Sequence, residues 1–448
     1  PWLNMREFER AAVTPYHYSF YQQWGGFFYV SDIVMFDCMS DVFYRIPNAS
    51  AAYPIDEVYF RQTSTNIERV STDFNSGYDA ITNANTALDF YYNNDGNPFP
   101  DASRSDKINN VDRIAGELHF MRAFAYYYHA IRHCPPPQTP QFSSEEILPE
   151  RFNFTNIDAA LNPEFMTGEE TYQYIVDDLK AAKQLLPEKF IEGIHHPSYQ
   201  YGRANKFAAH AILSKVYFEL GDWNNALAEL DTVIDMNGGM YDLSEDPIQA
   251  WNHSSAQKGK EVIWQAIYYD VELGESPKEA TLFTYLDYRA ENGGHGEFFR
   301  RATWHIFSMS NLTMQQIGWM DDNLDVTQEA LVDKRYDQLY HRLEGHRGNI
   351  DDDPDVYDQQ YTNVTEPRIW MDKYFRGPDG QYTNVPVLRL AEMYLTRAII
   401  YYKNGDLNAA AEDLNVVRKR AFNESVAGTY YEDSEHFVTS ATITEEMI

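Results

Sequence analysis

Apolar residues recur at helical spacing along several long stretches of the chain. In residues 66–92, Phe74, Tyr78, Ile81 and Leu88, with Asn85 among them, fall at steps of three and four on one stripe, which predicts a helix. In residues 112–133, Ile114, Leu118, Met121, Ala125 and Tyr128 form a second stripe, and Pro135, Pro136 and Pro137 stop it. A third helix, TYQYIVDDLKAAKQLL at 171–186, ends at Pro187 and is the predicted partner of the second. Residues 5–24 also read as helix. Residues 217–233, YFELGDWNNALAELDTV, and residues 401–417, YYKNGDLNAAAEDLNVV, match each other at a shift of 184. They share Tyr217/Tyr401, Gly221/Gly405, Asp222/Asp406, Asn224/Asn408, Ala226/Ala410, Leu230/Leu414 and Val233/Val417. Each predicts a helical hairpin. Glycine ends the first helix because it tolerates positive φ, and aspartate caps the second by accepting backbone N–H bonds. Ala226 and Ala410 leave room for the two helices to approach.

The hairpin spacing is similar to the tetratricopeptide (TPR) pattern. The 184-residue separation argues against a simple tandem array, and so against an intracellular TPR adaptor. Between the third and fourth hairpins the pattern changes. Residues 238–385 are rich in Gly, Pro, Asp and Asn, with short strand-like runs such as EVIWQAIYY at 261–269. Five of the eight tryptophans lie there: Trp251, Trp264, Trp304, Trp319 and Trp370. The predicted fold is therefore mainly α, with four TPR-like hairpins and a large irregular insertion containing short strands. Its parts are a scaffold over 1–237, an insertion over 238–385 and a fourth hairpin over 386–448. Insertions on a rigid scaffold commonly carry binding function.

Charge narrows the partners. With 36 basic against 68 acidic residues and a net charge of −32, the chain lacks the basic face that nucleic acid or an anionic membrane surface requires. Such an excess of acid mainly serves solubility. No apolar run approaches the roughly 18 residues of a spanning helix, and the first residues read as mature protein rather than as a signal peptide. Two cysteines, Cys38 and Cys134, make no disulfide framework. Aromatic content is high, with 34 Tyr, 26 Phe and 8 Trp, and such rings suit cores and flat ligands alike.

Four stretches together resemble one family. Glu117-Leu-His-Phe-Met-Arg122-Ala-Phe-Ala-Tyr126 is similar to its E-x-x-F-x-R-A-x-x-Y helix. Gly202-Arg-Ala-Asn-Lys206-Phe-Ala-Ala-His-Ala211, running on to Lys215-Val-Tyr217, is similar to its G-R-A-x-K-x-A-A helix. Val385-Pro-Val-Leu-Arg389-Leu-Ala-Glu392 resembles its I-P-x-L-R-Y-A-E segment, and Leu414-Asn-Val-Val-Arg418-Lys-Arg420-Ala421 its L-N-x-V-R-x-R-A helix. The family is SusD/RagB, the outer-membrane nutrient-binding lipoproteins. The resemblance implies a lipid-anchored, non-enzymatic protein on the extracellular face of the outer membrane. It further implies an oligosaccharide or polysaccharide cargo and a SusC-like TonB-dependent transporter beneath. The RagB branch implies peptide as the alternative cargo. The family's lipidated cysteine would precede Pro1, and its E-R-x-x-E-L-x-F-E-G-x-R-W motif would follow Ile448, so the sequence is expected to be trimmed at both ends.

Sugars offer C–H faces that stack on aromatic rings while polar neighbours bind the hydroxyls. On that chemistry the insertion supplies Trp304 with Arg301 and His305, then Trp319 and the pair Tyr285 and Tyr288. By the family resemblance the loop after the first helix shares the site, offering Asp41, Tyr44, Arg45, Tyr53 and Tyr59. Core packing is the competing role for every ring named, and it is the reading preferred for Trp264 and Trp223. Glu117, Arg122, Arg389 and Glu392 read as structural pairs between helices. His129 and His133 have zinc-ligand spacing but no third ligand nearby, so no cofactor is expected. Asp321-Asp-Asn323-Leu-Asp325 begins like a calcium loop but carries Val326 and Val332 where Gly and Glu belong. Asp351–Asp355 would hold calcium only loosely. The chain contains no H-E-x-x-H, G-x-S-x-G, Walker or G-x-G-x-x-G motif. Glycoside hydrolysis needs only two carboxylates at a set separation, which no motif records. An (α/α)-barrel glycosidase or polysaccharide lyase therefore stays open as the enzymatic alternative.

Overall fold

The computed structural model describes residues 2–21, 39–45, 59–61, 68–150, 161–200, 202–251, 259–267, 307–343, 366–371 and 385–448. Among the described residues, eight long helices follow the apolar stripes. Helix α1 (Met5–Tyr16) is capped by the Asn4 side chain, which accepts from the Glu7 amide, and it passes into a wider turn over His17–Tyr21. The next are α2 (Glu68–Tyr92), α3 (Arg113–His133) and α4 (Gly168–Leu185). Thr167 and Glu170 form a reciprocal capping box on α4, so the predicted start at 171 falls one turn late. Helices α5 (Lys206–Leu220) and α6 (Trp223–Ile234) make one hairpin, and α7 (Leu390–Lys403) and α8 (Leu407–Ala421) make another.

The two matched hairpins turn by the same chemistry. Gly221 and Gly405 adopt φ of 74° and 83°. The following amides, of Asp222 and Asp406, donate to Tyr217 and Tyr401 carbonyls at 2.9 Å. The Asp222 and Asp406 side chains then accept from the Asn225 and Ala409 amides. Ala226 and Ala410 are fully buried.

Each helix packs against the next in chain order, from α1 to α8. The row runs straight from α6 to α7, so the insertion is looped out without breaking the stack. Both ends of the insertion are tied down. Among the described residues the strands are β1 (Phe43–Arg45), β2 (Glu146–Pro149), β3 (Phe165–Thr167), β4 (Val262–Ala266), β5 (Phe307–Met309), β6 (Tyr340–Leu343), β7 (Arg368–Met371) and β8 (Val385–Arg389). Strand β4 pairs antiparallel with β8, which leads directly into α7. Trp264 on β4 is 1% exposed, edge-on to Phe20, Phe120 and Phe124 at 4.9–5.4 Å, with Nε1 donating to the Gly202 carbonyl. It is a core residue, as expected. Glu261, also buried, accepts from Arg389 and Arg420 and pins the strand to the last hairpin. Scaffold and insertion thus share one apolar core.

The other predicted pairs are structural as well. Glu117 accepts from Arg113, Arg203 and the Tyr16 hydroxyl. Arg122 is bidentate to Asp178, and Lys215 meets Glu392 at 2.7 Å. His129 is buried, stacked on Tyr78 and tilted against Phe74, in an aromatic packing position. The Cys134 thiol is pushed up to about 11 by burial; Cys38 lies outside the described residues. Among the described residues, no helix is long and apolar enough to cross a membrane.

Candidate functional site

A short ladder joins the loop after α1 to the insertion. Strand β1 (Phe43–Arg45) pairs antiparallel with β5 (Phe307–Met309), with Tyr44 opposite Ser308. The ladder is extended by Ser310 N donating to the Val42 carbonyl, and Thr313 Oγ1 reaches the Asp41 carbonyl. Phe43 is buried and anchors the strand in the core. Alternation along a strand then sends Tyr44 to the opposite face from Phe43 and Arg45. Strand β7 (Arg368–Met371) lies beside β5 and pairs antiparallel with β6 (Tyr340–Leu343).

The Tyr44 face carries an aromatic and charged group. The Arg368 guanidinium lies over the Tyr44 ring at 3.8 Å and donates to Glu366 at 3.3 Å. Burial lowers the Arg368 pKa, while Tyr44, Glu366 and Tyr59 act to raise it, so all three surround the same guanidinium. Tyr59 packs edge-on against Phe60 at 5.1 Å. Phe60 is 56% exposed, so most of its ring is open to a ligand. Arg61, next in the chain, makes two contacts of 2.8 and 2.9 Å with the exposed carboxylate of Asp41 and a third with the Met39 carbonyl. The surface therefore presents the open Phe60 ring next in the chain to the exposed Arg61–Asp41 pair, a combination able to stack on a sugar face and hydrogen-bond its hydroxyls, whereas the Arg368 guanidinium is buried and packs on Tyr44.

Of the residues singled out from the sequence, Tyr44 and Tyr59 both lie close to the Arg368 guanidinium, and Asp41 pairs with Arg61. Arg45 ends the strand opposite Phe307, on the other face from Tyr44. Trp319 is corrected: it is 6% exposed and edge-packed by Tyr336 and Tyr340 at 5.6 and 5.1 Å, which leaves too little ring for a ligand to stack on. Trp304, Arg301, His305, Tyr285, Tyr288 and Tyr53 lie outside the described residues. Phe60, Arg61 and Arg368 were missed. The triplet Tyr59-Phe60-Arg61 was the available signal for the first two; nothing local marks Arg368. The calcium-like run at Asp321 is a turn. Asp321 Oδ1 accepts from the Asn323 and Asp325 amides at 2.8 and 2.9 Å, and those main-chain donors hold its carboxyl below the usual range.

A row of helical hairpins with a looped-out insertion defines a helical-repeat scaffold. Known proteins agree on which one. A family model described as starch-binding associating with outer membrane matches residues 13–218, and the SusD family model matches residues 260–448. The chain belongs to the SusD/RagB family. A SusD-like protein P2 from Formosa agariphila is 32% identical over 146 residues, covering 32% of this chain and only 24% of that protein. A SusD superfamily protein from Bacteroides thetaiotaomicron superposes with a TM-score of 0.71 at 17% identity, covering 99% of this chain and 84% of that one. Surface glycan-binding protein A from Bacteroides uniformis superposes with a TM-score of 0.64 at 17% identity, covering 97% and 82%. These structural likenesses establish the fold.

Proposed function

We propose that the protein binds an oligosaccharide or polysaccharide without altering it, and delivers it to a SusC-like TonB-dependent transporter while held by a lipid anchor on the outer face of the outer membrane. The observation that carries the binding reading is Phe60, exposed beside the Asp41–Arg61 pair and against Tyr59. Family membership supports the cargo class and the setting, as does the glycan binding named for the Bacteroides uniformis neighbour.

Trp304 remains a proposed second platform. Arg301, His305, Tyr285, Tyr288 and Tyr53 are proposed to complete the site. Binding would be modest, since ligand hydroxyls exchange water for protein hydrogen bonds of similar strength. Capture would then be a population shift toward a state in which both walls touch the ligand.

Affinity electrophoresis of the intact chain against a panel of glycans tests the reading. Retardation by at least one glycan, weakened in Phe60→Ala, is the expected result. No retardation by any glycan together with binding of peptides would move the protein to the RagB-type alternative. New reducing ends appearing on incubation with a polysaccharide would overturn the non-enzymatic reading.

A further inference from the structure

We propose that Glu329, Glu435 and His436 form a site for a divalent transition-metal ion, with zinc the best match, that staples the insertion to the segment following α8. Among the described residues, these three form the one group whose possible ligand atoms all lie within 4.8 Å of one another. Glu329 sits on a short helix of the insertion, Gln328–Val332, whose first turn is capped by Thr327. Glu435 and His436 sit beyond α8.

The two segments meet independently of any ion. The Asn423 amide donates to the Val332 carbonyl at 2.7 Å, Asp333 bridges Phe422, and Val332, Phe422 and Tyr431 form a small apolar cluster. The histidine is positioned in advance. Its ring packs on Phe422 at 5.3 Å, its carbonyl accepts from the Tyr431 hydroxyl, and its amide donates to Ser434. Asn415 of α8 grips both sides of that segment, accepting from the Tyr431 hydroxyl and the Val438 amide.

His436 Nδ1 and Glu329 Oε2 stand 3.8 Å apart. That is too long for a hydrogen bond and slightly wider than the about 3.3 Å between two ligands of a tetrahedral zinc ion. Glu329 and Glu435 are exposed, so their side chains are free to adjust to an ion. Two carboxylates and an imidazole leave one position for water, and the nitrogen ligand selects a transition metal over calcium or magnesium. The site shares no residue with the proposed glycan surface and does not depend on that reading.

The test uses the intact chain without a polyhistidine tag, stripped with EDTA and titrated with zinc chloride by calorimetry. One equivalent should bind, with a rise in the thermal midpoint that calcium chloride does not reproduce. Since even an outer-shell partner is worth about 10- to 100-fold in metal affinity, His436→Ala and Glu329→Gln should each weaken binding at least tenfold. Hydrogen exchange in segments 328–333 and 422–438 should slow with zinc in the parent protein and not in either variant. Glu329→Gln changes an exposed side chain on a separate element, so it keeps the test informative if His436→Ala folds poorly. Absence of zinc binding, or equal affinity in parent and both variants, overturns the proposal.

Discussion

Asp178 offers the sharpest test of how the scaffold is held together. It is buried on α4 and accepts from Arg122 Nε and Nη2 at 2.7 and 2.6 Å and from His119 Nδ1 at 2.7 Å. Burial acts to raise its pKa, but the Arg122 charge and the Arg122 and His119 hydrogen bonds outweigh it and hold the group at about 2. An unfolded aspartate titrates near 3.8, so the folded state favours the ionised form by about 2 kcal/mol. The folded pKa is the depressed one. The contribution is therefore complete above the unfolded value and is lost as pH falls through the folded value. Integrated linkage leaves the contribution nearly intact at pH 4 and removes about 1 kcal/mol of it at pH 3.

Asp178→Asn keeps the shape and removes the charge, leaving the buried Arg122 guanidinium without its carboxylate counter-charge. Stranding one partner of a buried pair costs about 3–5 kcal/mol. Urea unfolding followed by circular dichroism at pH 7, 4 and 3, on parent and variant, reads both quantities. The variant should be less stable by several kcal/mol at pH 7, and the gap should narrow by about 1 kcal/mol at pH 3. Other carboxylates cancel in the difference. A gap that stays constant from pH 7 to pH 3, or a cost below about 1 kcal/mol at pH 7, would refute the assignment of Asp178 as the ionised centre of this network.

Three further outcomes are expected. Trp264→Ala should cost about 3–5 kcal/mol, measured by urea unfolding, because it empties a site ringed by Phe20, Phe120 and Phe124. Gly202→Ala should destabilise by about 1–3 kcal/mol, since φ there is +65° and the new methyl would sit 2.4 Å from Ile267 Cγ1; an unchanged thermal midpoint would count against this backbone geometry. Phe60→Ala should weaken binding of a retained glycan about 5- to 150-fold, by analogy with a stacked base, while leaving the unfolding midpoint unchanged; Trp304→Ala should act the same way, and unchanged affinity would remove either ring from the site.

What the sequence determined by itself was local. Helical stripes, the Gly-Asp corners at 221–222 and 405–406 and the proline stops all act within a few residues, so the hairpins and the insertion between them were legible along the chain. The same locality explains the errors. Trp304 and Trp319 look alike in sequence, yet only packing decided that Trp319 lies under Tyr336 and Tyr340. Tyr44 and Arg45 are neighbours in sequence, and strand alternation separated them onto opposite faces. The placement of Arg368 on Tyr44, of Arg61 on Asp41, and of Glu329 beside His436 joins segments distant along the chain. Those encounters were decided by tertiary structure alone, because they depend on how the insertion folds back onto the helix row, and no periodicity within a segment encodes which other segment it will meet.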